Sequence, residues 1–447
     1  MRTVYNWIFY LITPLLLLKL WRRGYEAPAY RARIAERFGF ASQTCPQHSQ
    51  QLHEINQPLW IHAVSVGEVM AIVPVVKQLM QLYPQLPILM TTSTPTGADR
   101  VQKIFSDHLQ LWHQYCPYDQ SASVKRFIKQ HRPLGLLIVE TELWPNMLYF
   151  SHAEKIPIVL ANARLSEKSA RGYTKFAALT RNMLRQLDLL IAQSATDAER
   201  FKRLGLDASQ LIISSNIKFD LEVPDQVSLD ALKLRQKIGD RPVLILGSSH
   251  ATEERAVLEL LPALWELKLD VLLIIVPRHP ERFDEVALMA AQYSPGVIRR
   301  SQQEITPQCS IYIADSMGEL LMLYSAADLA IVGGSFVALG GQSPIEPASV
   351  AKGVLMGPHQ YNFSTVCPEL EAAGGLYSCE NYQQLLERLK QLLPCPNEMA
   401  AMGKKAAEYA LSKRGATGIL VQNIEKVLLT RYIKSQAPSR EEKSENV

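Results

Sequence analysis

Residues 59–68, Leu59-Trp60-Ile61-His62-Ala63-Val64-Ser65-Val66-Gly67-Glu68, run from an apolar segment of strand length into a small-residue turn, and an amphipathic stretch over 69–82 follows. Strand, turn and helix in that order make one β-α unit. The unit recurs. Apolar runs at 88–92, 134–139, 156–161, 189–192 and 211–214 alternate with helical patterns at 98–105, 121–131, 169–185 and 197–204. Repeated β-α units build parallel sheets with helices on both faces, so the spacing predicts an α/β, doubly wound, Rossmann-like domain over 38–220.

A second series follows. Its strands are expected at 243–246, 271–276, 311–314, 329–332 and 354–356, with a long helical tail over 397–434. Between the series, Asp220-Leu221-Glu222-Val223-Pro224-Asp225-Gln226-Val227-Ser228 is polar, carries a proline and breaks the periodicity, which marks it as a linker. The expectation is therefore a second Rossmann-like domain over 229–435 and a solvated tail over 436–447. The carboxyl ends of the two sheets would face a shared cleft.

The chain has 447 residues, 47% apolar and 20% charged, the make-up of an ordinary folded protein with room for two or three domains. Net charge is +4. Residues 1–37 hold seven basic side chains against two acidic ones, which leaves the other 410 residues at −1. That distribution argues against a nucleic-acid binder, whose surface must neutralise phosphates. Six cysteines, Cys45, Cys116, Cys309, Cys367, Cys379 and Cys395, are scattered without metal-ligand spacing, so neither disulfides nor a metal site is expected. The segment 7–21, WIFYLITPLLLLKLW, is followed at once by Arg22 and Arg23. With no cleavage site after it and positive charge on its C-terminal side, it reads as a single membrane anchor that keeps the rest of the chain cytoplasmic. A buried core helix is the alternative.

Several residues could carry chemistry. Glu68 opens a helix at a strand end, either facing the cleft or serving as a first-turn acid. Glu140 and Glu142 follow an apolar strand at i and i+2, where pleating would put both on one face and raise at least one pKa. Lys218 follows the last strand of the first series, as a surface lysine or as a contact to an anion. Pro277 and Arg278 end a fully apolar strand, where open α/β sheets hold phosphate. Ser316-Met317-Gly318-Glu319 and Ser343-Pro344-Ile345-Glu346 each spell a capping box. The second is approached by Gly333-Gly334-Ser335-Phe336 and Gly340-Gly341-Gln342, glycines suited to bare amides that face a ligand. A phosphate-binding G-x-x-x-x-G-K-[ST] loop and a recognisable nucleophile elbow are both absent.

SVGE at 65–68, TTSTPTG at 91–97, ETELWPN at 140–146, ANARLS at 161–166, NIKFD at 216–220, VPRHPERF at 276–283, DSMGEL at 315–320, VGGSF at 332–336, GGQSPIEPA at 340–348 and LMGPH at 355–359 together resemble the 3-deoxy-D-manno-octulosonic acid (Kdo) transferases, the lipid A glycosyltransferases of Gram-negative bacteria. The resemblance implies a GT-B glycosyltransferase of lipopolysaccharide biosynthesis at the inner membrane. Such an enzyme moves Kdo from CMP-Kdo onto the lipid A precursor, lipid IVA, with inversion. It further implies Glu68 as general base, Glu140 and Lys218 as transition-state stabilisers, and Pro277, Arg278, Met317, Gly318, Glu319, Ser343, Pro344, Ile345 and Glu346 as the CMP site, with no metal. Gln342 and Ser343 stand where the family commonly has His and Asn. Two other classes share parts of the pattern: another GT-B nucleotide-sugar enzyme, such as an epimerase or a different lipid glycosyltransferase, and a non-catalytic membrane-bound nucleotide sensor.

Overall fold

The computed structural model describes residues 2–40, 57–266 and 269–436; Cys45 and the tail beyond Gln436 lie outside them. The chain divides into two compact units, one running to Ile217 and resuming at Gly415, the other Lys218–Arg414.

The first unit begins with helix α1 (Arg2–Glu26). Its sheet has seven strands: β1 (Leu59–His62), β2 (Ile88–Thr92), β3 (Leu111–Tyr115), β4 (Gly135–Val139), β5 (Ile158–Ala163), β6 (Leu189–Ala192) and β7 (Leu211–Ile213). Their order is β3-β2-β1-β4-β5-β6-β7, and every adjacent pair is parallel. Alternation along β1 sorts its side chains. Leu59 and Ile61 join Ile88, Met90, Leu137 and Val139 in the core beneath α2 (Val66–Leu82) and α3 (Pro95–Phe105). Trp60 joins Leu89, Leu136 and Ile138 in the core beneath α4 (Ser121–His131) and α5 (Pro145–Ala153). Burial of each such side chain contributes about 1.5–3 kcal/mol.

In the second unit, β8 (Val243–Ser249), β9 (Leu272–Pro277), β10 (Val297–Arg299), β11 (Ile311–Ile313), β12 (Leu329–Val332), β13 (Gly353–Met356) and β14 (Leu376–Ser378) pair in parallel in the order β10-β11-β9-β8-β12-β13-β14. Both sheets are therefore doubly wound, as the apolar spacing predicts. The strand order reverses between β1 and β4 in the first sheet and between β8 and β12 in the second. Such switch points are where open α/β sheets hold ligands.

The structure corrects the sequence reading in four places. Strands β3, β10 and β14 were not expected; β3 is LWHQY, whose His113 and Gln114 interrupt the apolar signal, and the other two are three-residue strands at sheet edges. The helix expected at 169–185 breaks into Glu167–Thr174 and Ala177–Leu184. The linker expected at 220–228 already contains the start of a helix, Asp225–Ile238, and the units divide earlier, after Ile217. Finally, the single tail helix expected within 229–435 is three helices, Pro396–Ser412, Ala416–Val427 and Thr430–Gln436. The last two leave the second unit. Ala416, Leu420, Ile424 and Leu428 lie in the core of the first sheet with Leu59 and Ile61. A Cβ on Gly135 would come within 2.9 Å of Leu428 Cβ, so the glycine permits this close approach. Periodicity shows that these residues form an apolar helical face; it does not say which sheet that face covers.

Ile424→Ala is expected to lower the stability of the first unit by about 2–5 kcal/mol. Hydrogen exchange on the full chain should then show lost protection in β1 and β4 while β8 and β12 keep theirs.

Candidate active site

At the first switch point, three carboxylates gather. Glu68 follows β1 in the first turn of α2, buried, with Ser65 as the helix N-cap. The Val64 N–H donates to Glu68 Oε2 at 2.7 Å, and the Ser65 hydroxyl donates to Oε1 at 2.9 Å. Burial pushes the Glu68 carboxyl up to about 7; those hydrogen bonds oppose the rise, and the charges of Glu140 and Glu142 add to it. Glu142 is also raised, first by burial and then by Glu140, against the Trp144 indole N–H that donates to it at 2.8 Å. The two acids after β4 are not brought together by strand pleating. The strand ends at Val139, and Glu140 takes a left-handed φ of 61°. That conformation costs an L-residue about 1–2 kcal/mol, and such strain concentrates at working sites.

The second unit gathers cations at its strand ends. Lys218, expected in the first domain, falls in this unit, with its ammonium 5.7 Å from the Phe363 ring centre. Glu346 has its carboxyl raised by burial, while the positive charges of Lys218 and Arg278 pull it back. Arg278 is exposed at the end of β9, directly after the buried Pro277. Lys218, Arg278 and Glu346, 128 positions apart at the extremes, thus share one electrostatic neighbourhood.

Neither capping box forms. The helix after Ser316 is Leu320–Ala326 with Glu319 as its N-cap residue, and Glu319 is held by the Ser316 hydroxyl and the Arg300 guanidinium. Met317 and Gly318 are exposed beside it, Gly318 with a φ of 90°. The helix after Ser343 is Ile345–Ser349, capped by no side chain at Pro344; Ile345 and Pro344 are buried and Ser343 half-buried. The glycine loop is not a row of bare amides either. The N–H groups of Gly334, Ser335 and Phe336 donate to the buried Glu253 carboxylate at 2.8, 3.1 and 3.0 Å, and the Gln342 N–H donates to the Gly333 carbonyl at 2.9 Å. Among the described residues no three His, Cys, Asp or Glu side chains form a metal-ligand group.

The family described as 3-deoxy-D-manno-octulosonic-acid transferase (kdotransferase) matches residues 32–221. A 3-deoxy-D-manno-octulosonic acid transferase of Haemophilus influenzae is 37% identical over 420 residues, 93% of this chain and 96% of that protein. The chain belongs to the Kdo transferase family. A namesake from Bordetella pertussis is 33% identical over 93% of this chain and 97% of its own length. The UDP-GlcNAc 2-epimerase of Neisseria meningitidis, 16% identical, superposes with a TM-score of 0.57 across 83% of this chain and all of that one, a likeness of GT-B fold alone. Membership makes the chain a glycosyltransferase, not an epimerase or a nucleotide sensor.

Two residues of this Kdo transferase relative escaped the sequence reading. Glu253 organises the glycine loop at the second switch point from within a helix, with no glycine or proline nearby to mark it. Asp119 is buried and caps α5 from a distance: the N–H groups of Asn146 and Met147 donate to its carboxylate at 2.9 and 2.8 Å. Burial raises its pKa to about 6 despite those bonds. It fixes the helix directly behind the Glu140–Trp144 turn, and a lone acid between Tyr118 and Gln120 gives no sequence signal.

Because both variants lose the carboxylate and only one relieves the backbone, Glu140→Gly is expected to be more stable than Glu140→Ala by about 1 kcal/mol. Chemical denaturation of the two side by side measures the difference.

Proposed function

We propose that this enzyme moves Kdo from CMP-Kdo onto a lipid A precursor, lipid IVA, with inversion at the anomeric carbon. The work is done at the anionic inner-membrane surface, with both catalytic units cytoplasmic and α1 holding the chain there. The observation that carries the reading is Glu68, a buried carboxylate at the switch point with its pKa near 7. A general base works best when its pKa lies near the operating pH.

In this reading Glu68 takes the proton from the acceptor hydroxyl as that oxygen bonds to the anomeric carbon of Kdo. The bond from that carbon to the phosphate oxygen breaks, and CMP departs with the electron pair. Negative charge then grows on one phosphate. Arg278 and Lys218 supply the opposing charge, which suits a leaving group with a single phosphate and makes a divalent ion unnecessary. The charge of Glu140 helps to raise the pKa of Glu68, and Glu140 stabilises the positive character that develops on the sugar. The nucleotide lies against Pro277, Met317, Gly318, Ser343, Pro344 and Ile345. Glu319, tied to Arg300, and Glu346, facing Lys218 and Arg278, position those walls.

Glu68→Gln should cut kcat/KM by about 10²- to 10⁴-fold. The wild-type kcat/KM should rise with pH up to about 7 and then level, because a protonated Glu68 accepts nothing. Stability runs the other way. A carboxyl held at about 7 in the folded protein contributes stability below its unfolded pKa of about 4.5, and that contribution is lost as pH rises through 7. Glu68→Gln should therefore gain on the wild type in thermal stability above pH 7 and show no gain below pH 4.5. A flat pH–rate profile with activity kept in Glu68→Gln would remove the base role.

Arg278→Ala should weaken binding of CMP far more than binding of cytidine, since the guanidinium is assigned to the phosphate. Calorimetry with the two ligands checks it, and equal losses would take Arg278 out of the phosphate site.

A further inference from the structure

Helix α1 is long and apolar enough to cross a membrane, with mean hydropathy 1.4 over its best window. Its contacts point to another arrangement. Tyr5, Asn6, Phe9, Thr13, Leu16, Leu20 and Gly24 are buried or half-buried, and their spacing of three and four residues defines one face along the whole helix. That face is held by polar bonds. The Tyr5 hydroxyl donates to Asp119 at 2.9 Å, the Asn146 amide donates to Asn6 at 2.6 Å, and the Gln120 amide donates to the Thr13 hydroxyl at 2.6 Å. The Arg2 guanidinium lies 3.3 Å from the Tyr149 ring centre.

The segment that follows its far end is held as well. Arg31 folds back on the helix and donates to the Trp21 carbonyl at 3.1 and 2.9 Å. Just beyond, the Arg33 guanidinium donates to the His113 carbonyl at 2.9 Å, and the Tyr115 N–H donates to Glu36 at 2.8 Å, both on β3. A helix of 25 residues is about 37 Å long, more than the hydrocarbon thickness of a bilayer at about 30 Å. A helix that crossed would carry one of its ends away from the unit that binds both.

The opposite face is apolar and uncovered. Val4, Trp7, Ile8, Leu11, Leu15 and Leu18 are all at least half exposed, Leu11 at 74%. They form a stripe about 21 Å long. Lys19, Arg22 and Arg23 sit exposed at its C-terminal end, with Trp7 and Trp21 as aromatic anchors. This pattern inverts that of a soluble surface helix: polar groups hold the protein and the apolar face looks out.

We propose that α1 lies flat in one leaflet of an anionic bilayer and does not cross it, with its 4–18 stripe among the acyl chains and its arginines among anionic headgroups. The occupant of the stripe is lipid. The proposal rests on the membrane-bound reading above and changes its topology from a crossing anchor to an in-plane one.

The first test uses the full chain carrying Thr3→Cys in intact spheroplasts of a Gram-negative host, probed with a membrane-impermeant maleimide. No labelling is expected until the membrane is opened, and labelling from outside overturns the proposal. In the second, wild type and the Leu11→Glu/Leu15→Glu variant are compared for binding to vesicles of phosphatidylethanolamine and phosphatidylglycerol. The variant should bind at least tenfold more weakly while its transfer to detergent-dispersed acceptor stays within about twofold of wild type. Retained vesicle binding overturns the proposal, as does wild type that pairs with itself through this face in lipid-free buffer and ignores vesicles. Loss of Kdo transfer by the wild type in detergent would strike the reaction assigned above and leave the labelling result standing, so the two failures are distinguishable.

Discussion

A parallel strand surrounded by parallel neighbours has both faces to cover, and that requirement governs this molecule. In β1, Leu59, Trp60 and Ile61 are all fully buried although they point in alternate directions. Each direction needs its own layer of helices. The first sheet obtains part of one layer from the far end of the chain, where Ala416, Leu420, Ile424 and Leu428 cross back to it. With both faces of the sheet sealed, polar side chains gather where the strands end. The strand order then selects the place along that edge, between β1 and β4 and between β8 and β12, where the connecting segments part.

The two units use those edges in opposite electrical senses. The first concentrates carboxylates: burial and the charges of Glu140 and Glu142 raise the proton affinity of Glu68, and burial and Glu140 raise that of Glu142. The second sets the charges of Lys218 and Arg278 near the half-buried Glu346 and commits the Glu253 carboxylate to the backbone of its glycine loop. The left-handed Glu140 belongs to the same economy of position. Its strained backbone ends the strand at Val139, and its charge is felt by Glu68.

Helix α1 is built the other way round. Its tertiary bonds come from Tyr5, Asn6 and Thr13, while Trp7, Leu11, Leu15 and Leu18 remain outside. The same seam reaches Asp119 and Asn146, which fix the first turn of α5 behind the acidic turn. The outward apolar face of α1 and the acidic turn of the candidate site are therefore tied together by one cluster of hydrogen bonds.

The amino-acid sequence by itself determined the alternation of apolar strands and amphipathic helices, hence two doubly wound sheets. It also placed Glu68, the Glu140–Glu142 pair and Arg278 at strand ends. These are local properties, written in spacings of two and of three to four residues. Short edge strands such as Val297–Arg299 and Leu376–Ser378 carry too few residues to show a period. The seven-residue helix after Glu319 and the five-residue helix after Pro344 are set by packing, so the S-x-x-E signal misplaced their starts. Only the tertiary structure decided that residues 416–432 cover the first sheet, that Lys218 joins Arg278 and Glu346, that Glu253 consumes the amides of the glycine loop, and that α1 presents its apolar side outward. Each is a contact between residues far apart in the chain. An amphipathic face or a charged side chain specifies what kind of surface it needs, whereas which surface it meets depends on how the whole chain closes.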